Sequence, residues 1–371
     1  MATLAEFMAS WTQLGVYSKI TQPMDRLQRF FGCQIGGPNE MKSRGRLFAY
    51  RYFDHTRDVA DFRAPGTGPS TVSNQSMGQV TGTFARVHEK KILDYETLGN
   101  LRPMELNAPL DPGGQQYLTR QQKHLHQRFS NAREVALAGC LRGNLGFTVS
   151  GDRYIPVLSG GDITIDFNIP STHKGALKDA ADADIIAASW STASTKIIDH
   201  LTKIEQASEY YTGRPIRHVW TDSTVWNYVL NCTQVQAMGG SAATAYQLWD
   251  MVEDRGPDGN PVRSFTAVLK AYPHVSWHIY NGGLNVNGTY TRFFDGTKAL
   301  FVPEPSDDWI QMGVGSEFVV EQVGASAKEA VGFYPWGNTT VEPAGIQLLA
   351  VDNFMPFLYV PKCVMWATCV F

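Results

Sequence analysis

The side chains that could hold a metal or move a proton are thinly spread along this chain. His124 and His126 stand two residues apart in a stretch with helical periodicity, so they point to different sides and share no metal ion. Asp162 and Asp166, in Gly161-Asp162-Ile163-Thr164-Ile165-Asp166, fall on one side of a strand and have the spacing of a carboxylate pair for acid–base work. The same spacing also describes a solvated polar face opposite Ile163 and Ile165. Asp307-Asp308-Trp309 is solitary and reads as a loop anchored by its Trp. There is no Walker loop, dinucleotide fingerprint, His-Glu-x-x-His, EF-hand loop or Gly-x-Ser-x-Gly elbow. The five cysteines, at 33, 140, 232, 363 and 369, are odd in number and lack Cys-x-x-Cys spacing, so they read as reduced, mostly buried thiols of a cytosolic setting. These residues predict no catalysis, no cofactor and no metal.

Charge is informative only locally. The formal net charge is −3 over 371 residues, which points to no nucleic-acid partner by itself. Yet the segment Tyr117–Arg142 carries Arg120, Lys123, Arg128, Arg133 and Arg142 against one acid, Glu134. Such a face is either an ordinary solvated one or a surface for polyphosphate or for an acidic patch of a neighbouring subunit. It has no interleaved aromatics, so contact with nucleic acid would be nonspecific and made to phosphates.

That segment is the element around which the others are arranged. Leu118, Leu125, Phe129, Ala132, Ala136 and Cys140 recur at helical spacing and predict one long helix, ended by Gly143, Asn144 and Gly146. A mostly polar helix with one narrow apolar seam needs an outside surface, which favours a spine within something larger over a compact enzyme. Phe147–Val149 and Tyr154–Val157 follow as strands around a Gly151-Asp152 turn.

Before the helix, Leu4–Leu14 reads as a short amphipathic helix that Thr21-Gln22-Pro23 breaks, and Asp25–Phe31 follows, ending in the paired aromatics Phe30-Phe31. Arg46–Phe53 and Val80–Val87 read as two strands joined by a long Gly-, Pro- and Ser-rich excursion. Phe48, Tyr50 and Tyr52 face one way and Leu47 and Phe53 the other. A two-stranded hairpin is marginal alone, so it must lean on another body. After the spine, Ala180–Ser208 reads as a helix, Arg217–Thr221 as a strand, and Asp222-Ser223 as the cap of a helix Thr224–Gln236. Val275–Tyr280 and Leu300–Pro303 are predicted strands. The apolar end, Ile346–Val370, is expected to return onto the Phe147–Phe167 strands. Hydrophobic residues at 43% supply a core, and no run of eighteen apolar residues could span a membrane. The N-terminus lacks a signal-peptide pattern.

The order of these pieces resembles the major capsid proteins of tailed phages, in the lambda-type capsid E family with the Hong Kong 97-like fold. Five segments carry the resemblance: Arg26–Phe31; Arg57-Asp58-Val59-Ala60-Asp61-Phe62-Arg63-Ala64-Pro65-Gly66; Arg133–Gly139 with Ile163–Phe167; Tyr280-Asn281-Gly282 with Phe301–Glu304; and Tyr334-Pro335-Trp336 with Pro356–Val360. The resemblance implies an α+β fold in which residues 1–41 are an N-terminal arm and 42–91 an extended loop. Residues 92–178 would be a peripheral domain with the spine helix, 179–340 an α/β axial domain, and 341–371 the return strands.

It also implies self-assembly, as hexamers and pentamers, into an icosahedral shell around double-stranded DNA, with a portal and no membrane. On that reading Phe48, Tyr50, Arg51, Tyr52, Arg57, Asp61 and Arg63 of the extended loop bind a neighbouring subunit. Arg120, Lys123, Arg128 and Arg133 of the spine helix face the DNA. The arm motif comes at Leu27–Phe31, which leaves no room for a built-in scaffolding segment, so a separate scaffolding protein is expected. No Lys lies between Arg44 and Glu89, so a shell without covalent cross-links, and with room for a decoration protein, is expected. The alternatives are an encapsulin-type compartment of the same fold and an unrecognised cytosolic α/β enzyme built on residues 180–340.

Overall fold

The computed structural model describes residues 26–53, 77–94, 112–158, 160–238, 249–252, 265–286, 289–320, 327–340 and 345–371. The expected Leu4–Leu14 helix and the excursion between the hairpin strands lie outside them. In chain order the elements are α1 (Arg26–Phe30), β1 (Glu40–Lys42), β2 (Leu47–Phe53), β3 (Met77–Thr83), β4 (Ala85–Asp94), α2 (Pro112–Arg142), β5 (Asn144–Ser150), β6 (Arg153–Val157), β7 (Ile163–Asp166) and β8 (Lys174–Gly175). Then come α3 (Ile197–Thr212), β9 (His218–Thr221), α4 (Ser223–Asn231), α5 (Thr233–Met238), β10 (Trp249–Val252), β11 (Phe265–Leu269), β12 (Tyr272–Ile279), β13 (Gly283–Val286), β14 (Thr289–Arg292) and β15 (Lys298–Val302). The last are β16 (Ile310–Val314), β17 (Ser316–Val319), β18 (Lys328–Val331), β19 (Tyr334–Thr340), β20 (Gly345–Leu358) and β21 (Met365–Thr368).

The chain divides into two compact units, each assembled from separated stretches. One comprises residues 1–49, 81–137 and 311–357, the other residues 50–80, 138–310 and 358–371.

The first unit is built on a sheet in the order β1-β16-β20-β19, with β4 also paired to β20. β20 runs antiparallel to β4 from Gly345↔Asp94 to Phe354↔Ala85, and antiparallel to β19 from Tyr334↔Val351. Its residues 350–357 are buried without a break, the polar Asp352 and Asn353 included. Helix α2 belongs to this unit through residue 137. Its Phe129 ring meets Phe333 edge-on at 5.2 Å, and Leu125, Val135 and Leu137 are buried with it. The seam is wider than the spacing predicts: residues 133–137 are buried on every side, Arg133 and Glu134 included.

The second unit is built on a seven-stranded sheet in the order β10-β11-β12-β9-β15-β21-β8. One face packs on α3, α4 and α5 in a core that includes Ile197, Leu201, Ile204, Val219, Val225, Trp226, Trp277 and Phe301. The other face carries an aromatic row in which Trp220 stacks on His278 at 4.4 Å and Phe294 stacks on Trp366 at 5.4 Å. β5, β6 and β7 form a separate three-stranded sheet, and its Ser150↔Arg153 turn has the expected Gly151 at φ 59°. Gly143, at φ 90°, ends α2 in the left-handed conformation a side chain would disfavour.

Several expectations need correction. Ala180–Ser208 is not one helix: α3 starts at Ile197, because short polar side chains bind the backbone before it. Asp179 accepts from the Ala181 and Ala183 amides at 2.8 and 2.9 Å, and the Thr195 hydroxyl donates to the Ser189 carbonyl at 2.6 Å. The predicted Thr224–Gln236 helix is two, broken at Cys232, although Asp222 caps the first as expected, accepting from Thr224 and Val225 at 3.0 Å. Val80–Val87 spans the end of β3 and the start of β4, with the buried Phe84 between them. The C-terminal strands do not return to the Phe147–Phe167 strands. β20 completes the first unit's sheet, and β21 pairs with β15 and β8 in the second.

Candidate assembly elements

The spine helix and the hairpin hold most of the residues that the sequence singles out. On α2, Arg120 and Lys123 are exposed. Arg128 is engaged: its Nε and Nη2 donate to both carboxylate oxygens of Glu89 at 2.6 and 2.5 Å, while the side chain stays more than half exposed. A bidentate pair of this kind fixes the guanidinium plane but is screened by water.

Arg133 is the clear correction among the spine cations. It is fully buried, and its Nε and Nη2 donate to the two Asp352 oxygens at 2.6 and 2.9 Å. Its Nη1 donates to Glu40, and its Cζ lies 5.6 Å from the Phe354 ring centre. Burial opposes its charge, but Asp352 and Glu40 outweigh burial and hold the guanidinium's pKa above its ordinary value. A cation so enclosed does not face DNA; it ties α2 to β1 and β20.

The next residue, Glu134, is also buried. Its carboxylate accepts from the Leu27 and Gln28 amides at 2.9 and 3.1 Å and from Gln28 Nε2 at 3.0 Å. It thereby caps the first turn of α1, whose amides have no partner within the helix. Gln28 Nε2 also donates to the Ser130 carbonyl at 2.7 Å. Helix α1 is therefore fastened to α2 by a single turn of the latter. The available signal was an adjacent Arg–Glu pair followed by Val-Ala-Leu-Ala: opposite charges entering an apolar run are paired, not solvated.

The hairpin strands β2 and β3 pair as expected, but their inward aromatics serve the subunit itself. Phe48 is buried between Phe84 and Phe357, each at 5.3 Å. Tyr50 is buried edge-on against Tyr359 at 5.8 Å, and burial pushes its hydroxyl's pKa up. Tyr52 is half-buried on the same face. Neither Phe48 nor Tyr50 is available to a neighbour. What β2 presents outward is Leu47, Ala49 and Arg51, with Leu47 71% exposed; β3 adds Met77 at 53%. Arg57, Asp61 and Arg63 lie outside the described residues.

The base of the ribbon is fixed by Glu317, which accepts from Arg46 and Arg86, each at 2.8 Å, and from Asn353 at 3.2 Å. Burial alone would raise this carboxyl's pKa; Arg86, Asn353 and Arg46 hold it below the usual range.

The residues examined for chemistry are accounted for structurally. Asp162 accepts from the Val149 amide at 2.7 Å and Asp166 from the Asn168 amide at 2.9 Å, both as exposed turn supports. His126 is buried edge-on against Phe333, and His124 is exposed. All five cysteines are free and buried. Among the described residues, no group of three His, Cys, Asp or Glu could hold a metal ion, and no helix is long and apolar enough to cross a membrane. A cavity of about 560 Å³ is lined by Arg142, Lys174, Lys298 and Trp366. Arg142 there donates to the Phe293 and Leu158 carbonyls and lies over the Trp366 ring at 5.3 Å, and Lys174 lies 4.0 Å from the Asp166 carboxylate, so both cations have partners within the subunit.

A family model described as phage major capsid protein E matches residues 18–369. No curated protein matches the sequence. Among solved structures, a putative prophage capsid protein from Escherichia coli superposes with a TM-score of 0.52 at 14% identity, covering 99% of each chain. A phage-related protein from Bordetella bronchiseptica superposes with a TM-score of 0.51 at 10% identity, covering 96% of this chain and 95% of that one. At these identities the likeness establishes the fold, which is the Hong Kong 97-like one.

Proposed function

Because this chain belongs to the phage major capsid protein E family, we propose that its copies form the icosahedral head of a tailed phage, as hexamers and pentamers enclosing double-stranded DNA. It is a shell-forming structural protein of the virion and not an enzyme, and it acts as a homo-oligomer. The finer reading is that the β2–β3 ribbon straps one subunit to the next. The single observation that supports it is the two-sidedness of the ribbon. Its aromatic face is consumed within the subunit, while Leu47, Ala49 and Arg51 stay outside it as an exposed apolar and cationic row. Exposed Leu and Met on a two-stranded ribbon are a docking surface in an assembling protein and an aggregation liability in any other.

Arg120 and Lys123 are the two spine cations left to meet phosphate, by screened and sequence-independent contacts. A separate scaffolding protein, a portal and a decoration protein complete the proposed set of partners. Electron microscopy of the purified, overexpressed chain tests the reading. Closed shells, tubes or sheets are expected; only small discrete oligomers would overturn it. Nuclease-protected DNA in particles recovered from lysed hosts is expected, and protein cargo without DNA would point to a compartment instead.

A further inference from the structure

On the second unit's sheet, the face that carries the aromatic row ends in a line of hydrogen bonds across three adjacent strands. The Thr266 hydroxyl on β11 lies 3.2 Å from His278 Nδ1 on β12, and His278 Nε2 lies 3.0 Å from His218 Nδ1 on β9. His218 Nε2 lies 2.8 Å from a Glu304 carboxylate oxygen just beyond β15. The parallel register of β12 and β9, Ser276↔His218 and His278↔Trp220, sets the two imidazoles diagonally across the strands. Trp220 stacks on His278 and fixes its ring plane.

One arrangement of protons satisfies this line with both rings neutral and Glu304 ionised. Thr266 donates to His278 Nδ1, His278 Nε2–H donates to His218 Nδ1, and His218 Nε2–H donates to Glu304. One added proton is accommodated by reversing the line. It enters at His278 Nδ1, whose N–H then points to the Thr266 oxygen, and the Nε2 proton moves to His218 Nδ1. The charge arrives on His218, beside Glu304, and every bond is kept. A second proton is not accommodated: two N–H groups would then face each other across 3.0 Å, both on cations. Among the described residues, the charges acting on His218 include Glu304 and Arg217.

We propose that His218 and His278 form a two-site proton relay that accepts one proton, delivers it as an ion pair with Glu304, and refuses the second. The relay lies within one subunit and does not depend on the assembly reading. Its titration belongs to the pair and not to either ring.

Exchange of histidine C2 hydrogens for deuterium, followed by mass spectrometry across pH, reads each ring separately in subunits or shells. The expected result is two well-separated midpoints, with His278 the lower. His218→Gln should raise the His278 midpoint by about one unit or more, a tenfold gain in proton affinity, because the opposing cation is gone. Glu304→Gln, an exposed position, should lower the His218 midpoint by roughly half a unit. If the His278 midpoint stays put in His218→Gln, or if Glu304→Gln leaves His218 unmoved, the relay is wrong.

Discussion

Arg133 and Asp352 both have side chains at 0% exposure, so their contribution is decided by desolvation as much as by attraction. Removing the cation alone strands two carboxylates, Asp352 and Glu40, at or near the interior. Arg133→Met should therefore destabilise the subunit by about 3–5 kcal/mol, while Arg133→Met with Asp352→Leu should recover most of that loss. Denaturant unfolding of the soluble subunit measures both; a single variant within 1 kcal/mol of wild type would mean that the pair does not hold α2 in place.

The buried histidines set a second expectation at this scale. Burial, joined by the nearby cations Arg133 and Lys362 respectively, lowers the pKa of His126 and of His173 from 6.5 to about 4. The unfolded chain takes up these protons near pH 6.5 and the folded one resists to about pH 4, so the stabilisation is complete above the upper value. It is lost as pH falls through that window and is flat below it. At 1.36 kcal/mol per unit each group accounts for about 3 kcal/mol at most. Stability that does not fall between pH 6.5 and 4, or a His126→Phe variant with an undiminished slope, would contradict this.

At the scale of elements, the ribbon separates folding from assembly because its two faces do different work. Phe48→Ala removes a ring packed between Phe84 and Phe357 and should cost the subunit about 3–5 kcal/mol whether or not shells form. Leu47→Asp with Arg51→Glu alters only exposed positions; stability should stay within about 0.5 kcal/mol while shell formation fails. Normal shells from that double variant, seen by electron microscopy, would show that the strap lies elsewhere.

The alternation in Leu47–Phe53 made these two faces legible in the sequence, but not which body would cover the aromatic one. That depends on Phe357 and Tyr359, some three hundred residues away. The same limit explains the misplaced C-terminus: β20 and β21 are visible as strands, whereas their partners are chosen by long-range registers that no local pattern encodes. Local hydrogen bonding explains the shortened α3, since Ser, Thr and Asp side chains offer the backbone an alternative to the helix. Where the determinant is local it could be read directly, as at the Asp222 cap and the Gly151 turn. Of the expected DNA-facing cations, Arg133 was misassigned because a charge count does not register burial; its neighbour Glu134 was the clue.

For the whole molecule the question is whether such a shell is bonded covalently or held by surface contacts alone. A cross-link between the extended loop and a neighbour's amide side chain requires a nucleophilic amine near the loop tip. From Arg44 to Glu89 the chain has none, and Lys42, Lys90 and Lys91 sit only at its base. The base lysines are set in paired strands: β1 pairs with β16 through Lys42↔Val314, and β4 with β20 through Lys90↔Leu349 and Lys91↔Leu348. Arginines are plentiful there, but a guanidinium stays protonated and is a poor nucleophile. The free cysteines offer no substitute, because all five are buried, and burial pushes the Cys33 and Cys363 thiols up to about 12. Many noncovalent contacts must then close the shell, each weak and some of them charged, so cohesion should fall as salt screens exposed charges such as Arg51. Mature particles boiled in detergent should give one band near 41.1 kDa, with or without reductant. A ladder of multimers that survives both treatments would establish a covalent bond, formed by a group other than the loop lysines on which such chemistry depends.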